Sequence, residues 1–272
     1  MTQQVIDLLD VASGAIDQAR MLIEAEMPEE PGDVPVSAFE YGGMLSSAGG
    51  AVVNVTAGSR VSDADPRASI SITAGTIDLS TNGVGGLDTG SISASTTYHF
   101  FSISGSAGSE KIASASLSPS LPTGYTAKRR LLSVPTNASG ALPNFSQMGD
   151  SVVCDPVGFV PFSNPGTASM LKPTGAPQGI QVDVRLTVAM YNATATVRSL
   201  LVSSPSQPDL APSGSLFTLR SSDSANNRQS TEVVRRTDVL GNVRFRAETS
   251  DANMSVFYSM IGWSDPGIWR CL

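Results

Sequence analysis

The spacing of apolar residues changes once along this chain. From Thr2 to Met27, apolar residues fall at Val5, Leu9, Ala12, Ile16, Ala19 and Ile23, in steps of four and three. That spacing keeps one stripe on a helix and is the a/d pattern of a coiled coil. Leu8, Ala15 and Leu22 widen the stripe. Thr2 can cap the start, and Pro28 ends the helix because it forces Met27 out of helical geometry. A lone helix of this length is marginal in water, so its apolar side needs cover. The cover is the same helix from another copy, a groove on another protein, or the chain's own domain. Val5, Leu9, Ala12, Ile16, Ala19 and Ile23 are therefore the candidate oligomerisation and anchoring residues. Pro28, Pro31 and Pro35 then stiffen residues 28–36 into an extended linker.

Beyond residue 36 the period falls to two. Strands are expected at 51–56, 68–73, 75–79 and 97–103, with a glycine-rich loop at 82–90. More follow at 111–118, 127–134, 151–154, 182–191, 195–203, 215–220, 231–239, 242–248 and 254–263. Val182, Val184, Leu186, Val188 and Met190 alternate and should share one buried face. Leu240-Gly241-Asn242, set between two alternating runs, predicts a hairpin turn. The fold expected is mainly β: an N-terminal α-helix forming a short coiled coil (1–27), a Pro-rich linker (28–36), and an antiparallel β-sandwich or jelly-roll-like body (37–272).

Composition sharpens this picture. Charged residues make up only 15% of the chain, against about 25% in ordinary globular proteins. Ser, Thr, Gly and Val fill the difference, which suits sheets with many turns and argues against disorder. No run of 18 apolar residues exists, so membrane insertion by a helix is excluded. No basic start followed by an apolar core exists, so no secretory signal peptide is visible. The net charge is −7, and residues 1–40 account for all of it. They carry nine carboxylates and Arg20, which leaves the body near neutral. Nucleic-acid binding needs a cationic face. The body offers only Lys128-Arg129-Arg130, Arg235-Arg236 and the pair Arg244 and Arg246, which read as solvated strand faces or subunit salt bridges.

Candidate chemistry is sparse. His99 is the one histidine and sits in an apolar strand pattern, so a core or inter-strand role is expected. Gly-x-Ser-x-Gly, a P-loop, His-Glu-x-x-His and an EF-hand loop are all absent from the sequence. Asp63, Asp65 and Asp88 read as turn formers. No catalytic residue, metal ligand or cofactor is expected. Glycosidase chemistry would need only two carboxylates at the right separation, but nothing in the sequence selects a pair. Cys154 and Cys271 match no metal or redox spacing and read as reduced, buried thiols or as one disulfide. Tyr41, Tyr125 and Trp269 are candidate glycan-stacking residues, with core packing as the plain alternative.

Six pieces carry a resemblance. They are 57–65 (Ala-Gly-Ser-Arg-Val-Ser-Asp-Ala-Asp), Gly86-Leu87-Asp88-Thr89-Gly90, Thr97-Tyr98-His99-Phe100-Phe101, the run Leu121 to Arg130, Phe145-Ser146-Gln147-Met148-Gly149-Asp150, and Gly262-Trp263-Ser264-Asp265-Pro266-Gly267. In order and spacing they resemble a module of fibre and head-spike proteins of tailed bacteriophages and related gene-transfer particles. Residues 155–225 contain no such piece. The resemblance implies a non-enzymatic virion structural protein, a head or tail appendage assembled in the host cytoplasm. It implies a homo-oligomer, with a trimer favoured. Its partners would be other virion proteins (portal, capsid, tail or baseplate) and a host-surface polysaccharide. The alternatives are a capsid decoration protein, present in many more copies per particle, and a polysaccharide-degrading enzyme.

Overall fold

A computed structural model describes residues 40–63, 68–158 and 161–268. The chain divides into two units, Met1–Ser37 and Ala38–Leu272, and the described residues all belong to the second. The expected helix of 1–27, its six stripe residues and the linker of 28–36 lie outside them, as do Trp269 and Cys271.

The described residues form antiparallel β-sheet, with no helix among them. Six short strands come first: β1 (Tyr41–Gly42), β2 (Leu45–Gly50), β3 (Val52–Val55), β4 (Gly58–Val61), β5 (Ser69–Ile72) and β6 (Gly75–Asp78). After the glycine-rich loop come β7 (Thr97–Gly105), β8 (Gly108–Ser114), β9 (Ala127–Pro135), β10 (Leu142–Met148) and β11 (Ser151–Gly158). The chain continues through β12 (Phe162–Ser163), β13 (Met170–Pro173), β14 (Asp183–Asn192), β15 (Ser199–Ser203) and β16 (Leu219–Arg220). It closes with β17 (Asn227–Arg236), β18 (Asn242–Ala247) and β19 (Met254–Ser264).

One nine-stranded sheet, β17-β14-β19-β11-β10-β2-β3-β6 with β12 on β19, runs through the body. Two smaller sheets cover its inner face. The sheet β8-β7-β9 lies over the β10 end, where Gln147 on β10 donates to the Leu131 carbonyl of β9 at 3.4 Å. The sheet β13-β18-β15-β16 lies over the β14–β19 end, where the Tyr258 hydroxyl of β19 donates to the Pro173 carbonyl at 3.0 Å. There Phe245 packs against Phe162 and Tyr258, with ring centroids 5.6 and 5.1 Å away. A third sheet, β1-β4-β5, stands where the chain enters the body. One continuous apolar cluster fills both halves, from Leu45 and Val53 through Phe100 and Leu132 to Met190, Phe245 and Trp263. The architecture is thus two sandwich-like halves sharing one sheet.

The alternating pattern of 182–191 is realised as expected. Val182, Val184, Leu186, Val188 and Met190 are all fully buried, because residues two apart on a strand face the same layer. The expected hairpin at Leu240-Gly241-Asn242 is a correction. The turn exists: Asp238 Oδ1 accepts from Leu240 N at 2.9 Å and Asn242 N at 2.8 Å, and Gly241 takes a left-handed φ of 75°. However, β17 pairs with β14 while β18 pairs with β13 and β15. The turn therefore carries the chain from one layer to the other. A short turn signal specifies reversal but not which strands pair afterwards.

Among the described residues three ladders shift register, β7–β9, β11–β19 and β14–β19. In β9, Phe100 of β7 faces Leu132 but Phe101 faces Arg130, so Leu131 is the extra residue. Residues three apart normally point to opposite faces; the bulge brings Arg130 and Ser133 onto one face. In β11, Val153 faces Gly262 and Val157 faces Met260 of β19. Pro156 lies in that interval and cannot donate to a ladder, which favours the break there.

Candidate functional site

The described residues of the six pieces form strands and loops of the first half, together with the end of β19, and several of their polar side chains bond to neighbouring strands and loops. In Gly86-Leu87-Asp88-Thr89-Gly90, Leu87 is buried and Asp88 N donates to the Ala113 carbonyl of β8 at 2.8 Å. Asp88 Oδ2 accepts from Ser114 Oγ at 2.8 Å and from Ser120 N at 2.9 Å. Gly86 is required by close approach, since a Cβ there would lie 2.4 Å from the Thr81 carbonyl oxygen. Gln147 spans strands: its Oε1 accepts from Leu45 N and its Nε2 donates to the Gly149 carbonyl, both at 2.9 Å. Asp265 N donates to the Asp150 carbonyl at 2.8 Å, joining the last piece to the fifth.

The densest cluster is His99, Ser133, Arg130 and Asp265. Arg130 is paired with Asp265 through both terminal nitrogens, and Gly267 N donates to Asp265 Oδ1 at 3.1 Å. Arg130 Nη1 also donates to Ser133 Oγ at 2.8 Å, and Ser133 Oγ lies 2.7 Å from His99 Nδ1. Burial, and then the neighbouring Arg130 cation, push the His99 pKa down to about 4, against an opposing pull from Asp265. His99 is therefore neutral at pH 7, and Ser133 Oγ accepts from Arg130 while sharing a hydrogen bond with Nδ1. A serine on a neutral imidazole is half of a nucleophilic pair. Here Ser133 is fully buried, so no substrate carbonyl can reach its oxygen, and the bond locks β7 to β9. His99 has the inter-strand place expected of it.

A second cluster ties down the start of the body. Arg129 Nη1 pairs with Asp63 at 3.0 Å, and Nη2 lies 3.5 Å from Glu40 and donates to the Ile268 carbonyl at 3.0 Å. Glu40 Oε1 also accepts from Val61 N at 3.1 Å. Beside them Arg60 is fully buried and donates to the carbonyls of Tyr41 and Ser59 (Nη1, 3.0 and 3.1 Å) and Gly42 (Nη2, 2.6 Å). Burial lowers its pKa to about 10, partly offset by Glu40; the guanidinium stays charged at neutral pH. Lys128-Arg129-Arg130 is thus neither a solvated face nor, within this chain, free for a subunit bridge. Arg129 and Arg130 are spent on internal pairs, and Lys128 lies over the Phe101 ring at 5.4 Å.

Two of the three candidate glycan residues are described, and Trp269 lies outside the described residues. Tyr41 is 62% exposed on β1, whereas Tyr125 packs half-buried against Phe101, Ile103 and Ile112. Cys154 is a free, buried thiol. Among the described residues no group of three His, Cys, Asp or Glu side chains could hold a metal ion. Sequence reasoning missed a cavity of about 550 Å³ at the edge of the second half, lined by Asp183, Ser204, Gln207, Leu210, Val234 and Arg235 among others. Only the Arg235-Arg236 doublet marked its position. No protein-family model, curated protein or solved structure matches the chain.

Proposed function

We propose that this chain is a non-enzymatic structural component of a phage or phage-like particle: an oligomeric fibre or spike fastened through residues 1–27 and presenting the β body. One observation supports it above others. The pieces that resemble the appendage module spend their distinctive polar groups (Asp88, Arg129, Arg130, Gln147 and Asp265) on bonds that hold strands together. A motif that recurs for scaffolding should look like this; a catalytic motif would aim those groups at a cleft. The body is also pinned at its first described residue, since Glu40 bonds Val61 and approaches Arg129. A body hung from its N-terminus needs such a fastening, because tension on the linker then enters a buried network rather than a frayed end. The low-charge, Ser- and Thr-rich surface suits hydrogen bonding to host polysaccharide.

The test is incorporation. Particles assembled with residues 38–272 in place of the full chain are expected to lack the protein, while the full chain co-purifies with them. Equal incorporation of the two would contradict the anchoring role. Copy number per particle, by quantitative mass spectrometry, separates an appendage from a decoration protein.

A further inference from the structure

We propose that the cavity beside Arg235 is a binding site for an acidic saccharide, a sugar unit carrying one carboxylate. The inference stands on the cavity alone and does not depend on the appendage reading. The cavity, about 550 Å³, opens where the edge strand β17 meets β15 and the loop 204–216. That size falls within the roughly 300–1,000 Å³ of small-molecule sites.

The far wall is built in advance. Arg244 of β18 donates to the carbonyls of Gln207 at 2.8 Å and Pro205 at 2.9 Å, and Arg246 pairs with Asp209 at 3.2 Å. These bonds hold the loop against the sheet without a ligand, so little ordering cost remains for binding.

The charge balance in the cavity is uneven. Arg236 is neutralised by Asp183, with Nε and Nη2 donating at 2.7 and 2.6 Å. Arg235 has no such partner. Its Nε donates to the Val202 carbonyl at 2.7 Å and its Nη1 to the Val234 carbonyl at 2.8 Å, both neutral acceptors. Among the described residues Asp183 is the one carboxylate lining the cavity, and Arg236 pairs with it. The site therefore holds one uncompensated, half-desolvated guanidinium that is oriented by two bonds and has N–H groups to spare. A planar carboxylate is its natural complement.

The rest of the lining selects the body that carries the carboxylate. Leu210 and Val234 offer exposed apolar surface, while the Ser204 hydroxyl is buried and the exposed Gln207 side chain stands beside it, its Oε1 accepting from Ser204 N at 3.3 Å. Apolar contact on one side and hydroxyl partners on the other match the two characters of a pyranose ring. A peptide would seek to extend β17, but the Arg236 N–H at this edge is already taken by Ser204 Oγ at 3.0 Å.

The test is calorimetric titration of the full chain with tetramers of glucuronate and of sialic acid. Cellotetraose and the free-acid peptide tetra-alanine serve as comparators. At least one acidic tetramer is expected to bind, and cellotetraose is not. Arg235→Gln should weaken binding about tenfold or more. Leu210→Glu, on the exposed rim, should do the same by repulsion and keeps the test decisive should Arg235→Gln unfold. Failure of both acidic tetramers to bind, equal binding of cellotetraose, or unchanged affinity in a folded Arg235→Gln protein would overturn the proposal. Preferential binding of tetra-alanine would overturn the sugar class.

Discussion

Replacing Asp265 by alanine probes the densest polar cluster in the body. The carboxylate is almost wholly buried, its partner Arg130 is 15% exposed, and it accepts from both Arg130 terminal nitrogens and from Gly267 N. Removing it strands a guanidinium in a site built to neutralise it. Breaking a buried pair from one side typically costs about 3–5 kcal/mol, and the slight exposure of Arg130 favours the lower end, about 3 kcal/mol. For a body of this size that corresponds to a fall in Tm of about 6–12 °C. Urea titration with a calorimetric scan measures it, and the double variant Arg130→Met, Asp265→Leu supplies the control. If the cost is that of a stranded charge, the double variant should recover half or more of the loss, since no buried ion remains. A loss under about 1 kcal/mol for Asp265→Ala would mean that the pair behaves as an exposed one. A double variant as unstable as the sum of its parts would equally refute the reasoning.

Three further outcomes are expected. His99 is held neutral when folded, with a pKa near 4 against 6.5 in the unfolded chain. The unfolded state therefore takes up the extra proton between those values, and stability falls as pH drops from about 6.5 to 4. The full effect is about 3 kcal/mol; the difference in unfolding free energy between the wild type and His99→Gln across that window measures it, and a flat difference contradicts it. Gly262→Ala should cost about 1–3 kcal/mol in urea titration, because the new Cβ would lie 2.2 Å from the Val152 carbonyl oxygen. Burial, then Asp155, push the Cys154 thiol up to about 11, so in a Cys271→Ser protein a thiol-disulfide reagent at pH 8 should register no thiol until denaturant is added.

The sequence made the long strands legible because burial on one face imposes a strict period. The strands β7, β14, β18 and β19 fall close to their expected spans, and β14 shows the expected face. The strands β2, β4, β10 and β13 escaped. Leu45–Gly50 and Gly58–Val61 are short and glycine-bearing, and Leu142–Met148 contains Pro143, so propensity argued against strands that the neighbouring ladders stabilise. Loop 82–90 was legible from its glycines, whereas its docking through Leu87 onto β8 was not. The polar clusters were the least legible feature. Arg130 and Ser133 share a face only because Leu131 is bulged, and Asp265 reaches them from 135 positions away. Arg235 lay in view as half of a doublet, but that its neighbour alone is neutralised emerges only once Asp183 is placed opposite Arg236.

The central claim divides the chain into a segment that gathers copies and a body that stands alone. Multi-angle light scattering of the full chain beside residues 38–272 tests it most directly. The account predicts about three times the chain mass for the first and a folded monomer for the second. A monomeric full chain, or the same oligomer in both, would contradict it.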